Sequence, residues 1–292
     1  NETFTHCAGT ENDWTSSPEH YWPQDGSPLR FVVASPATAD WGGACEGDRP
    51  GELKVTGFSP AADIAAQKDL LAGYASGSKS DAAGTELELH HVLTQVEVRA
   101  KSTNTAYLYD VKAVQIGSVR STGDYTLPSE TDTDGSWTLK EGSYATYTTA
   151  ELKEPIRLSA EAKELMGEGG TAMLLPQRLA AWNVETDKAN TANGSFIALL
   201  LKITTGTGTQ VYPAASGEYG WAAVPIGGHT DGRKNLWQSG DKFVYTLDLS
   251  SGAGVAPPND PTPGEPVLGK PIRFTVTVNG WTLSTQKTNL EE

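Results

Sequence analysis

Four carboxylates raise the first chemical question. Glu130, Asp132 and Asp134, then Gly135 and Glu141, fall at positions 1, 3, 5, 6 and 12 of a calcium-loop pattern. Oxygen donors at those steps suit a hard cation, so Glu130, Asp132, Asp134 and Glu141 are the metal candidates. Two features oppose the match. Position 1 is Glu where such loops carry Asp, and the flanks Tyr125-Thr126-Leu127 and Trp137-Thr138-Leu139 read as strands rather than as paired helices. The competing expectation, which weighs more, is an acidic hairpin turn with Asp134-Gly135 at its tip.

Other reactive side chains are more scattered. His90 and His91 adjoin on an extended segment and point to opposite faces, so they cannot share one metal; one is expected buried and hydrogen-bonded, the other solvated. His6, His20 and His229 stand alone. Asn193-Gly194-Ser195-Phe196 lacks the second glycine of a nucleophile elbow, and no His and acid are marked as its partners. Cys7 and Cys45 are the two cysteines. They can form neither a four-cysteine zinc site nor a disulfide framework, which leaves either one bridge or two free thiols. No catalytic or cofactor-binding residue emerges, and the expectation is a protein that is not an enzyme and needs no cofactor. Tyr21, Trp22, Tyr219 and Trp221 lie in loops or beside glycines, where aromatic faces can stack on sugars; packing anchors are the stronger reading.

The elements that would position these groups are mostly strands. Leu29, Phe31 and Val33 alternate up to Ser35-Pro36, and Leu53 and Val55 suggest another strand. Ser59-Pro60 opens and Gly73 closes an expected helix over about 60–72, and Ser159 to Met166, stopped by Gly167, predicts a second short one. In the stretch from Leu87 to Lys101, Leu87 and Leu89 share one phase of the period-two alternation, and Val92, Val96, Val98 and Ala100 the other. The slip at His90–His91 implies a bulge or bend where a strand leaves one core and enters another. Phe196 to Leu201 is apolar on both faces, as in a covered central strand. Phe243, Tyr245, Leu247 and Leu249, and then Ile272, Phe274, Val276 and Val278, alternate as one-sided strands, separated by a proline-rich loop at 256–264.

Many short strands without α/β alternation predict an all-β sandwich fold in two domains, 1–85 and 86–292, the first small or lacking leading strands. At 292 residues the chain is long enough for both cores. Its formal charge of −14 repels phosphate backbones and anionic lipid, which argues against nucleic acid as a partner. The longest apolar run falls far short of the roughly 20 residues that span a bilayer, and no basic-then-apolar leader opens the sequence.

Several stretches, taken in order, carry a resemblance: Tyr21-Trp22-Pro23 ahead of Leu29-Arg30-Phe31; 65–71, Ala-Ala-Gln-Lys-Asp-Leu-Leu; 89–96, Leu-His-His-Val-Leu-Thr-Gln-Val; Leu174-Leu175-Pro176-Gln177; and Ile272 to Trp281, ending Val278-Asn279-Gly280-Trp281. Together they resemble the fimbrillin family of Bacteroidales, pilin and adhesin subunits of the fimbrillin-like type, over nearly the whole chain. The resemblance implies two transthyretin-like β-sandwich domains in tandem, export as a lipid-anchored precursor to the outer membrane, and a place in a cell-surface fimbrium as stalk or tip. It also implies partners: sibling subunits joined by β-strand exchange, and a host glycan or protein receptor. A glycan-binding module that uses exposed Trp and Tyr is the alternative.

Overall fold

The longest apolar strands build the larger of two sandwiches. The computed structural model describes residues 4–6, 14–16, 21–42, 44–47, 51–80, 85, 87–167 and 170–281. Phe196–Thr205 runs antiparallel to Tyr107–Arg120 on one side and to Gly220–Pro225 and Gln210–Tyr212 on the other; Tyr144–Thr148 and Ile156–Arg157 flank Tyr107–Arg120 to complete a six-stranded sheet. The facing sheet sets Thr94–Lys101 parallel to Asp241–Asp248, with Val96 beside Phe243, and adds Arg273–Gly280 antiparallel to the latter. Val96, Val98, Phe243, Tyr245 and Leu247 interdigitate with Val111, Ile197, Leu199 and Leu201 in one continuous apolar core. Residues of opposite phase on the central strand, Phe196 and Ala198, cluster on the outer face with Trp182 and with Ala223 of the neighbouring strand. That second cover explains why the run from Phe196 to Leu201 is apolar throughout.

The smaller sandwich has shorter strands and more aromatic filling. Leu29–Ser35, Leu71–Gly77 and His90–His91 form one sheet; Ala44–Glu46, Lys54–Phe58, Gly123–Thr126 and Ser136–Leu139 form the other. Tyr125 lies 4.9 Å from Trp137 and 5.7 Å from Trp41 between ring centroids, and Phe58, Leu70, Val92 and Leu93 close the core around them. The hairpin 123–139 comes from well beyond the expected division at 85/86, so the first core draws on both expected domains.

Both expected helices are corrected. Over 60–72 only the 3-10 turn Ile64–Ala66 forms, capped by the Asp63 carboxylate accepting from Ala65 N at 3.0 Å. From Leu71 the chain joins a seven-residue ladder with Leu29–Ser35, and Leu70 O accepts from Val92 N. An isolated helix of this length is marginal, and the ladder offers its amides better partners together with burial of Leu70. Between Ser159 and Met166, Lys163–Glu164 pairs instead with Arg99 and Ala100, and Leu165 N donates to Val98 O.

The chain passes between the sandwiches at fixed points. Val92 and Leu93 pack in the first core, and Thr94 begins the strand of the second, three residues past His91 of the phase slip. Val92 O accepts from Trp137 Nε1 at 2.7 Å and from Ser239 Oγ at 3.0 Å, which ties both units to the crossing. A second crossing follows Arg120. There the buried Gln177 amide accepts from Arg120 N at 2.7 Å and donates to Arg120 O and Leu175 O. A buried amide satisfied on both sides holds the backbone where the strand has left its ladder.

Candidate functional site

The surfaces able to take a partner are sheet edges, because an edge strand presents a row of backbone N–H and C=O groups. Arg273–Gly280 pairs with Asp241–Asp248 on one side only among the described residues. Its Thr275, Thr277 and Asn279 face solvent, while Val276 is buried and Phe274 and Val278 rest on the core. Leu29–Ser35 is the corresponding edge of the smaller sandwich, laddered to Leu71–Gly77 and, among the described residues, to nothing beyond. Val32 and Ala34 point to the core, and Trp22 stands edge-on to Phe31 at 6.2 Å.

A cleft of about 150 Å³ opens where this edge ends and the chain turns through Thr38–Trp41. Trp41, Phe58, Leu70 and Met173 form apolar walls, and Asp40, Gln67 and Lys68 line it as well. Gln67 closes one side by accepting from Met173 N at 2.7 Å and donating to Ala61 O at 2.9 Å. An apolar cavity of about this volume holds a single benzene-sized group. It could therefore seat one aromatic or branched side chain.

The carboxylates of the calcium-loop pattern do not converge. Glu130 accepts from Arg30 at 3.0 Å on the surface, while the backbone carbonyls of Asp132 and Asp134 serve the turn, accepting from Ser129 N and from Tyr125 OH. Burial pushes the Tyr125 phenol upward, with the nearby Asp132 and Asp134 charges adding to it, so it stays a donor. Gly135, at φ +67°, makes the hairpin tip, and Glu141 lies past the far end of Ser136–Leu139. Among the described residues, no three His, Cys, Asp or Glu side chains gather so as to hold a metal ion.

Several of the remaining singled-out residues serve packing and turns. His90 is exposed; His91 is buried, 2.8 Å from Asp69 Oδ2 through Nδ1 and stacked on Trp281 at 3.6 Å. Nothing local in the sequence announces that stack, since Trp281 lies 190 positions further along the chain, just past the strand Arg273–Gly280. His229 Nδ1 accepts from Asp231 N, and Ser195 Oγ donates to Ser118 O. The Cys7–Cys45 pairing and the side chains of His6 and His20 lie outside the described residues. Tyr21 is exposed, and Tyr219 and Trp221 lie on the outer face of the six-stranded sheet, where Trp221 rests against the Trp182 cluster. Among the described residues, no helix is long and apolar enough to cross a membrane.

A family model described as fimbrillin-like matches residues 1–281. The chain belongs to the fimbrillin-like family. Solved structures similar to this fimbrillin-like protein include one provisionally assigned to cell adhesion from Bacteroides uniformis, with 16% identity, a TM-score of 0.48, and 97% of this chain and 85% of that one covered. A second, from Bacteroides ovatus, has 14% identity and a TM-score of 0.44 over 92% of this chain and 76% of that one. A third, from Parabacteroides distasonis, has 12% identity and a TM-score of 0.46 over 88% and 84%. No curated protein matches. Membership in the fimbrillin-like family supports an adhesive fimbrial subunit at the cell surface, a structural role rather than a catalytic one.

Proposed function

We propose that this fimbrillin-like protein is a non-enzymatic subunit of a surface fimbria, stalk or tip, that joins its neighbours by β-strand exchange. The observation that carries the reading is the pairing of an edge with a pocket. Leu29–Ser35 is laddered on one side among the described residues, and the apolar cleft of Trp41, Phe58, Leu70 and Met173 opens beyond its Ser35 end. Main-chain ladder bonds to such an edge supply affinity, and a pocket that takes one side chain supplies register. On this reading the partners are sibling subunits and then a host receptor. The protein reaches the outer membrane as a lipid-anchored precursor, and each sandwich is of the transthyretin-like type.

Arg30 is exposed on that edge and suits a photo-crosslinking residue in its place. Irradiation of cells carrying the substituted protein is expected to yield adducts whose peptides map to another fimbrial subunit. Surface-exposed protein without such adducts would sink the strand-exchange reading.

A further inference from the structure

Register places a row of charged and aromatic side chains on the outer face of the six-stranded sheet. Arg157 stands opposite Asp110, and Asp110 opposite Lys202. Because Leu201 pairs with Gly220, Tyr219 comes beside Lys202 on the other flank. Arg157 grips Asp110 with both arms of its guanidinium, Nε on Oδ1 and Nη2 on Oδ2 at 2.9 Å. The carboxylate next to Lys202 is thus already taken. Among the described residues Lys202 makes no ion pair, and its Nζ lies 4.9 Å from the centre of the Tyr219 ring.

A second ammonium reaches the same ring. The register shift between Leu200 and Leu201 leaves Lys112 as the extra residue of a bulge, and its Nζ also sits 4.9 Å from the centre of Tyr219. Glu151 approaches it only to 3.8 Å and is largely exposed. Trp221, two residues beyond Tyr219 and on the same face by strand alternation, is partly exposed. In a chain of formal charge −14, two ammonium groups meet at one tyrosine ring. An anion within reach of both ammonium groups gains from each, and the neighbouring aromatic faces suit the C–H side of a sugar ring.

We propose that Lys112, Lys202 and Tyr219, with Trp221 alongside, bind an acidic sugar, its carboxylate or sulfate held by the two ammonium groups and its ring laid on the aromatics. This supplies the adhesive reading with a ligand class and rests on that reading, but it does not need strand exchange. Nucleic acid shares the anionic chemistry; the net negative charge of the whole molecule disfavours a long polyphosphate.

Titration calorimetry on the full chain at low salt tests it with three probes: a uronic-acid oligosaccharide, its carboxyl-reduced counterpart, and a sulfated oligosaccharide of similar length. At least one acidic probe is expected to bind, and the reduced one at least about tenfold more weakly; the double variant K112Q/K202Q is expected to lose about tenfold, and Y219L a similar amount, with melting midpoints unchanged. Which acidic probe binds tells carboxylate from sulfate. No binding of either acidic probe, equal binding of the acid and its reduced form, or full binding by K112Q/K202Q overturns the proposal. Adducts from residue 30 together with such a failure would leave the fimbrial reading standing.

Discussion

The two sandwiches use different means to close a core. The larger relies on long strands, and its central strand is sealed on both faces by apolar side chains. In the smaller, strands of two to seven residues come from two separated stretches of chain, 29–91 and 123–139, aromatic rings fill much of the interior, and a cleft reaches the core. The difference teaches where each unit can yield. A side chain deleted from the sealed core leaves a void that nothing enters, whereas the wall of an open cleft already lacks full packing.

Truncation should show this most strongly. Leu199→Ala is expected to cost about 4 kcal/mol and Leu70→Ala about 2 kcal/mol, read from denaturant unfolding of the full chain. Equal losses would erase the contrast between the two cores.

Acid should act on the larger sandwich through Glu97. Glu97 is buried; burial alone would raise its carboxyl, but hydrogen bonds from Lys242 at 2.6 Å and from Arg99 outweigh it and hold the group below the usual carboxylate range. Its contribution to stability is therefore fully present above the unfolded value and is lost as pH falls through the lower folded value. Glu97→Gln is expected to cost about 1–2 kcal/mol at neutral pH and to flatten the acid side of the stability curve, as followed by melting between pH 7 and pH 3. An unchanged acid slope would mean that the Lys242 and Arg99 contacts contribute little.

The smallest effect belongs to the surface of the smaller sandwich. Arg30 and Glu130 are both exposed, so Glu130→Ala is expected to move stability by no more than about 0.5 kcal/mol. Millimolar calcium is expected to leave the melting midpoint unchanged in the parent and the variant alike. A calcium-dependent rise in the parent alone would restore the acidic turn as a cation site.

The candidate surfaces were only partly legible from residue order. Arg273–Gly280 announces its inward Phe274, Val276 and Val278 by alternation, but being the last strand of its sheet depends on which strand comes next. Lys202 follows an apolar run in the outward phase, so its face could be read. Its lack of a carboxylate could not, because that depends on Arg157 reaching Asp110 from another strand. The expected helix over 60–72 misled for a related reason. Its capping signals are local, whereas the ladder that draws Leu71–Gly77 into a sheet is made with residues about forty positions earlier.

By itself the sequence determined the all-β class, the two-faced burial of Phe196 to Leu201, the change of core beside His90–His91, and the family. Each is written in side-chain alternation or in the order of short segments, which neighbouring residues carry. Only the tertiary structure decided that Thr94–Lys101 lies parallel to Asp241–Asp248, that the hairpin 123–139 completes the first sandwich, and that two lysines share one tyrosine. Those outcomes turn on which distant strand gains most by burying its face. Backbone ladders are chemically alike at every edge, so only the competition among all the edges selects the partner.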